Sequence, residues 1–129
     1  MVTGLADAKK ATTKRVGDAG EALAHLERQG LTLVQRNYRV AAGPHARGGE
    51  VDLILRERDG TLVFVEVRAR SSGAFGGAAA SIGASKQRRL VFAAQHFLRR
   101  YSTLPPCRFD VVAIQGEGVE WLRGAFDTS

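Results

Sequence analysis

Two segments with short, nearly continuous apolar runs, residues 50–57 and 61–69, are separated by a polar stretch, which predicts two β-strands joined by a tight turn. The connection contains Asp59-Gly60, a common turn pair. A three-residue loop over 58–60, with Gly60 in the left-handed region, gives each apolar residue an apolar partner across the hairpin. A two-residue loop would shift the register by one and break this pairing. The hydrophobic pattern therefore predicts the three-residue loop.

This register also decides where the acidic residues lie. The predicted pairs are Val51–Val67, Leu53–Val65 and Leu55–Val63 on one face, and Glu50–Arg68, Asp52–Glu66 and Ile54–Phe64 on the other. Asp52 and Glu66 then face each other with β-carbons about 5 Å apart, and opposed like charges destabilise a hairpin. Two cations fit this position: Arg68, two residues along on the same face, or a hard divalent ion such as Mg²⁺. The acids therefore form either a structural ion network or a metal site.

The remaining pattern predicts one α/β domain. We expect a loose arm over residues 1–12 and a single domain over 13–129. The predicted elements are a helix over 14–29, a strand over 31–40, a helix over 82–101 and strands over 108–115 and 119–122. The segment from 61 to 115 has the length of a strand, helix, strand crossover between parallel strands.

Two details of the helices are also predicted. Gly17 and Gly20 each cost about 1 kcal/mol in a helix interior, so another backbone is expected to approach the first helix closely there. Ser81 or Ser85 is expected to cap the start of the second helix.

Charge and composition narrow the class of partner. The formal net charge is +6 at pH 7 and the pI is near 10.2, which favours a polyanion. The single cysteine, Cys107, excludes an intrachain disulfide and a multi-thiolate metal site. No apolar run approaches the ~18 residues that span a bilayer, and the N-terminus has no signal-peptide core. We expect a cytoplasmic protein that does not enter a membrane.

Basic side chains mark the predicted helix over 82–101, which carries no acidic residue. This one-sign charge fits either a phosphate-facing edge or a solvated face. Under the first interpretation, the residues predicted to contact nucleic acid are Lys86, Arg88 and Arg89, with Arg36 and Arg70 from neighbouring segments.

A series of short motifs in this order resembles the YraN family of small bacterial proteins, over residues 15 to 126. The motifs are Gly20-Glu21, Gly49-Glu50-Val51-Asp52, Phe64-Val65-Glu66-Val67-Arg68, Lys86 and Arg108-Phe109-Asp110-Val111-Val112. That family is similar to the restriction-endonuclease-like PD-(D/E)xK nuclease superfamily, closest in pattern to archaeal Holliday-junction resolvases. The resemblance implies a mixed central β-sheet flanked by helices, with an α-β-β-β-α-β core.

The resemblance also implies a set of catalytic residues. Asp52 matches the metal-binding aspartate and Glu66 the acid of the (D/E)xK motif, and together with the carbonyl of Val67 they would hold Mg²⁺ or Mn²⁺. Glu21 matches a first-helix glutamate of the catalytic set. Arg68 stands where the motif has lysine. Arginine cannot act as a general base, but it can neutralise charge in the transition state.

The function implied is metal-dependent hydrolysis of phosphodiester bonds in structured DNA, of junction or flap type, with Lys86 contacting the substrate. Two alternatives remain open: a non-catalytic nucleic-acid-binding protein of the same fold, and an interaction module in which the acids only pair with Arg68. Junction resolvases act as dimers because their substrate has two symmetric cuts, so a homodimer is a further option.

Overall fold

The computed structural model describes residues 16–44, 48–69, 82–116 and 118–126. Within these ranges lie two helices and five strands: α1 (Val16–Arg28), β1 (Thr32–Val40), β2 (Gly49–Arg56), β3 (Leu62–Ala69), α2 (Ala84–Leu98), β4 (Cys107–Gln115) and β5 (Gly118–Leu122). This order confirms the α/β class and the predicted restriction-endonuclease-like α-β-β-β-α-β core, to which β5 is added. The predicted arm over 1–12 lies outside the described residues.

The five strands form one mixed sheet in the order β1-β2-β3-β4-β5. β3 and β4 are parallel, whereas the other neighbouring strands are antiparallel. The parallel pair requires a crossover, and α2 provides it, as the segment length predicts. None of the helices in the described ranges is long and apolar enough to cross a membrane.

Hydrophobic clusters cover both faces of the sheet. On one face α2 packs through Leu90, Ala94 and Phe97 against Ile54 and Phe64. The opposite face is covered by α1, whose cluster residues are Ala22, Leu23 and Leu26, packed with Leu53, Val63 and Val65 among others. Burial on both sides explains why β2 and β3 have nearly continuous apolar sequences.

The hairpin between β2 and β3 has the predicted three-residue loop. Glu57 N–H donates to Thr61 O at 2.9 Å, and Gly60, with φ of 95°, donates its N–H to Glu57 O at 2.9 Å. Asp59 Oδ1 accepts a bond from Thr61 N–H at 2.9 Å, and this bond lowers the pKa of Asp59. The pairs Leu53–Val65 and Leu55–Val63 confirm the predicted register.

The regular β2–β3 pairing ends at Leu53 and Val65. Beyond this point the prediction for Val51 is wrong, because Val51 packs in the α2 cluster while Val67 packs in the α1 cluster. The carboxylate of Asp52 instead accepts the N–H of Val67, with Oδ2 at 2.7 Å. Near the acidic residues, the Asp52 side chain thus accepts a backbone N–H of β3 in place of regular strand pairing.

Two predictions about the helix termini and glycines also need correction. Among the described residues, a β-carbon at Gly20 would meet no atom within 4 Å, so the close backbone approach predicted there is not found. The close approach lies instead at Gly49, where a β-carbon would be 2.4 Å from Arg89 O and 3.0 Å from Ala93 N. Ser85 does not cap α2, because the helix begins one residue earlier and Gly83 is its N-cap residue. Ser81 lies outside the described residues.

Candidate active site

The predicted acids lie where the regular β2–β3 pairing ends, and Glu66 contacts a side chain of α2. Asp52 and Glu66 are only 4% and 2% exposed. Asp52 is held by the N–H of Val67, the residue that follows Glu66. Two carboxylates are therefore buried in one region, which is costly unless positive charge or hydrogen bonds compensate them.

Two cations approach the same oxygen of Glu66. Arg68 Nη1 lies 3.5 Å from Glu66 Oε2, and Lys86 Nζ lies 3.8 Å from the same atom. Arg68 comes from β3 itself, whereas Lys86 comes from the first turn of α2. The structure thus brings Arg68 and Lys86 to Glu66 and holds Asp52 at the N–H of Val67. The register predicted Asp52 directly opposite Glu66, a pair that lies beyond the observed strand pairing.

The close packing of α2 on β2 brings a further cation to this end of the sheet. Arg89 Nη2 lies 3.9 Å from Glu50 Oε1, although the hairpin register predicted Arg68 opposite Glu50. Gly49 allows this arrangement, since any side chain there would collide with the backbone of α2 at Arg89 and Ala93. The missing side chain of one glycine therefore determines how near the α2 cations come to the acids.

Glu21 lies on a different element from these residues. It is exposed on α1, and α1 packs on the face of the sheet opposite α2. Within the described ranges, no three His, Cys, Asp or Glu side chains come together as a metal-binding group. The assembled carboxylates are accordingly Asp52 and Glu66, and the role of Glu21 stays a prediction.

The residues predicted to bind nucleic acid fall on different surfaces. Lys86 and Arg89 lie near the carboxylates. Arg88 instead lines a shallow hollow on another side of α2, beside Phe92 and Phe126. Arg36 is exposed on β1. Arg70 lies outside the described residues.

Asp110 is a polar residue whose importance the sequence analysis missed. It is 1% exposed and accepts bonds from Arg108 Nε at 2.9 Å, Arg108 Nη2 at 3.0 Å, Trp121 Nε1 at 2.8 Å and Gly124 N at 2.9 Å. Arg108 also contacts Glu57 Oε2 at 2.7 Å, and bonding to these acids raises the pKa of Arg108. The sequence does contain a signal for this pair: Arg108 and Asp110 are two residues apart on a predicted buried strand, and residues at that spacing lie on the same face.

Comparison with known proteins identifies a family that this chain matches. The model described as "Uncharacterised protein family UPF0102" matches residues 20–114. A UPF0102 protein of Methylibium petroleiphilum is 65% identical over 120 residues, which cover 92% of this chain and 98% of the relative. A UPF0102 protein of an Acidovorax strain is 62% identical over 130 residues, covering 99% of this chain and 95% of the relative. Both relatives thus match this chain nearly end to end.

Proposed function

The chain belongs to the UPF0102 family, and from this premise we propose that it is a Mg²⁺-dependent nuclease that hydrolyses phosphodiester bonds in structured DNA of junction or flap type. The observation that carries the proposal is the placement of Asp52 and Glu66. They are buried together where hairpin pairing ends, within reach of cations from two further positions.

The donor set suits a hard divalent ion. Mg²⁺ is usually bound by one or two carboxylates and keeps several waters, so Asp52 and Glu66 are sufficient without a third acid. Val67 would add its carbonyl oxygen, and Mn²⁺ accepts the same kind of ligands. When bound, the ion would polarise a phosphoryl oxygen and lower the pKa of its water.

The surrounding residues have distinct roles in this proposal. Val67 N–H fixes the carboxylate of Asp52. Arg68 stays charged throughout and neutralises negative charge that develops on the phosphate. Lys86 approaches the same Glu66 oxygen as Arg68, and unlike arginine its ammonium can release a proton. Lys86 therefore supplies the amine that the nuclease motif would place at position 68.

The main alternative is a nucleic-acid-binding protein without catalytic activity. The observation that favours it is the proximity of Arg68 and Lys86 to Glu66, since two cations can compensate two carboxylates without any metal. In this alternative, the acids hold α2 to the sheet and the positive charge of the chain serves binding alone.

The test is incubation of the protein with end-labelled four-way junction, flap, duplex and single-stranded DNA, with Mg²⁺ or with a chelator. We expect Mg²⁺-dependent cleavage of a branched substrate, loss of cleavage in Asp52→Asn, and a fall of about 100-fold or more in Lys86→Arg. Glu120→Gln, an exposed acid on β5, is the matched control and should cleave normally.

Each other outcome has a defined meaning. Binding of these DNAs without cleavage would replace the nuclease by the non-catalytic alternative. If the protein neither binds nor cleaves these DNAs, the interaction module is the alternative that remains. Cleavage that persists in Asp52→Asn would place the activity elsewhere and contradict the proposed site.

A further inference from the structure

One flank of α2 carries a line of basic side chains that begins at the carboxylates. Positions 86, 89, 93 and 96 follow a spacing of three or four residues, which places Lys86, Arg89 and His96 on the same side of α2 as the buried Ala93. Arg100 follows two residues after the last residue of the helix. Contacts confirm that this side faces β1 and the start of β2. Arg89 O and Ala93 N pack on Gly49, and His96 Nδ1 lies 2.6 Å from Tyr38 Oη.

We propose that this flank is a track for the phosphodiester backbone of nucleic acid, formed by Lys86, Arg89, His96 and Arg100. The track rests on the proposed function, which supplies the substrate class, and it adds a path by which the substrate reaches Glu66 and Asp52. His96 is a new assignment, and Arg100 is selected from the basic residues of the predicted helix by its contacts.

Arg100 is held in place by neutral partners. Its Nε donates to Phe97 O at 3.1 Å, and its guanidinium carbon lies 3.8 Å from the centre of the Phe97 ring and 5.7 Å from that of Tyr38. Among the described residues no carboxylate pairs with it. The side chain is therefore ordered while its positive charge remains available, and ordering before binding lowers the entropic cost of a phosphate contact.

Arg56 extends the same pattern at the far end of the track. Its Nη2 donates to Tyr101 Oη at 3.3 Å, again a neutral partner. By contrast, the arginines near β4 and β5 are compensated by acids: Arg108 contacts Glu57 and Asp110, and Arg123 lies 3.7 Å from Glu57. Lys86 and Arg89 therefore lie beside acids at one end of the track, whereas Arg100 and Arg56 at the other end have neutral partners.

The length of the track fits a short stretch of nucleic acid. Fourteen residues separate positions 86 and 100, which corresponds to about 21 Å along a helix. A nucleic-acid strand lying along this length would present several successive phosphates to the track. A substrate strand lying along it would have its backbone at Arg100 and the bond to be cut near Lys86.

Arg88 provides a matched control, because it lies on the same helix with the same charge but lines the hollow beside Phe92. The measurement is anisotropy of fluorescently labelled DNA titrated with full-length protein at several salt concentrations, in chelator so that no cleavage occurs. We expect Arg100→Gln to weaken binding several-fold and to reduce the slope of log K against log salt by about 1. Arg88→Gln should leave the slope unchanged.

Arg100→Lys separates charge from packing, since it keeps the charge but loses the planar stack on Phe97. It should retain the salt slope of the wild type. Equal losses in Arg88→Gln and Arg100→Gln would contradict the track, as would an unchanged slope in Arg100→Gln. The binding assay needs no cleavage, so the track and the nuclease can fail separately. If the protein cleaves DNA and Arg100→Gln has no effect on binding or cleavage, the track is wrong and the nuclease proposal stands. If binding depends on Arg100 but no DNA is cleaved, the nuclease proposal is wrong and the track stands.

Discussion

The Asp110 carboxylate is surrounded by donors that come from β4, from β5 and from the turn after it. Arg108 donates two bonds to it, and Trp121 Nε1 and the N–H of Gly124 donate one each. A buried carboxylate with this many donors stabilises the fold through its charge as well as its shape. It therefore joins the last strand to the sheet and compensates the charge of Arg108.

We predict that Asp110→Asn lowers the free energy of unfolding by about 2–3 kcal/mol. An amide presents N–H groups to donors that need an acceptor, and it leaves the Arg108 charge poorly compensated. Urea unfolding followed by Trp121 fluorescence measures the loss. Glu120→Gln on the neighbouring strand should stay within about 0.5 kcal/mol of the wild type. A loss in Asp110→Asn no larger than in this control would contradict the role assigned to Asp110.

At the scale of elements, the position of α2 depends on a contact that involves no side chain of β2. Gly49 lies against the α2 backbone at Arg89 and Ala93, and the same helix carries Lys86 and Arg89 to Glu66 and Glu50. Packing of the helix on the strand and assembly of the charged groups are consequently one structural feature.

We predict that Gly49→Ala destabilises the protein by about 2 kcal/mol, because a β-carbon 2.4 Å from Arg89 O forces α2 away from the sheet. Gly20→Ala is the control, since a β-carbon there meets nothing and alanine favours a helix interior over glycine by about 1 kcal/mol. Thermal unfolding should show opposite shifts for the two variants. A neutral Gly49→Ala would mean that the close approach has little energetic weight.

Most elements were predictable because their local signals agree with the fold. The Asp59-Gly60 turn and the apolar register together determined the loop of the hairpin, which the structure confirms. The strand, helix, strand unit followed from its length alone. In the same way, the opposition of Asp52 and Glu66 in that register led to the region where both are buried.

What could not be predicted depends on contacts between distant segments. Val51 leaves its expected partner because Asp52 takes the N–H of Val67, a competition that hydrophobic periodicity does not describe. The sequence does not distinguish the glycine at 20 from the glycine at 49. Only the packing of α2 shows that a backbone lies close to Gly49. The Glu21 position depends on which face of the sheet α1 covers, and no local pattern specifies that.

At the scale of the whole molecule, positive charge is divided between two uses. At the β4–β5 edge arginines pair with Glu57 and Asp110, while along α2 the cations begin at the carboxylates and continue to residues with neutral partners. Cations with neutral partners are therefore grouped at the C-terminal end of α2, which makes the charge there one-sided. Such asymmetry orients a polyanion as well as attracting it.

The central claim is that Asp52 and Glu66 hold a divalent ion and do not serve only as an ion network. It is tested most directly by titrating the protein with Mn²⁺ and measuring the free ion by electron paramagnetic resonance, a method that detects weak binding. We predict one bound ion in the wild type, at least tenfold weaker binding in Asp52→Asn, and wild-type binding in Glu120→Gln. Equal binding by the wild type and Asp52→Asn, or no binding by either, would contradict the metal site and leave the carboxylates as partners of Arg68 and Lys86.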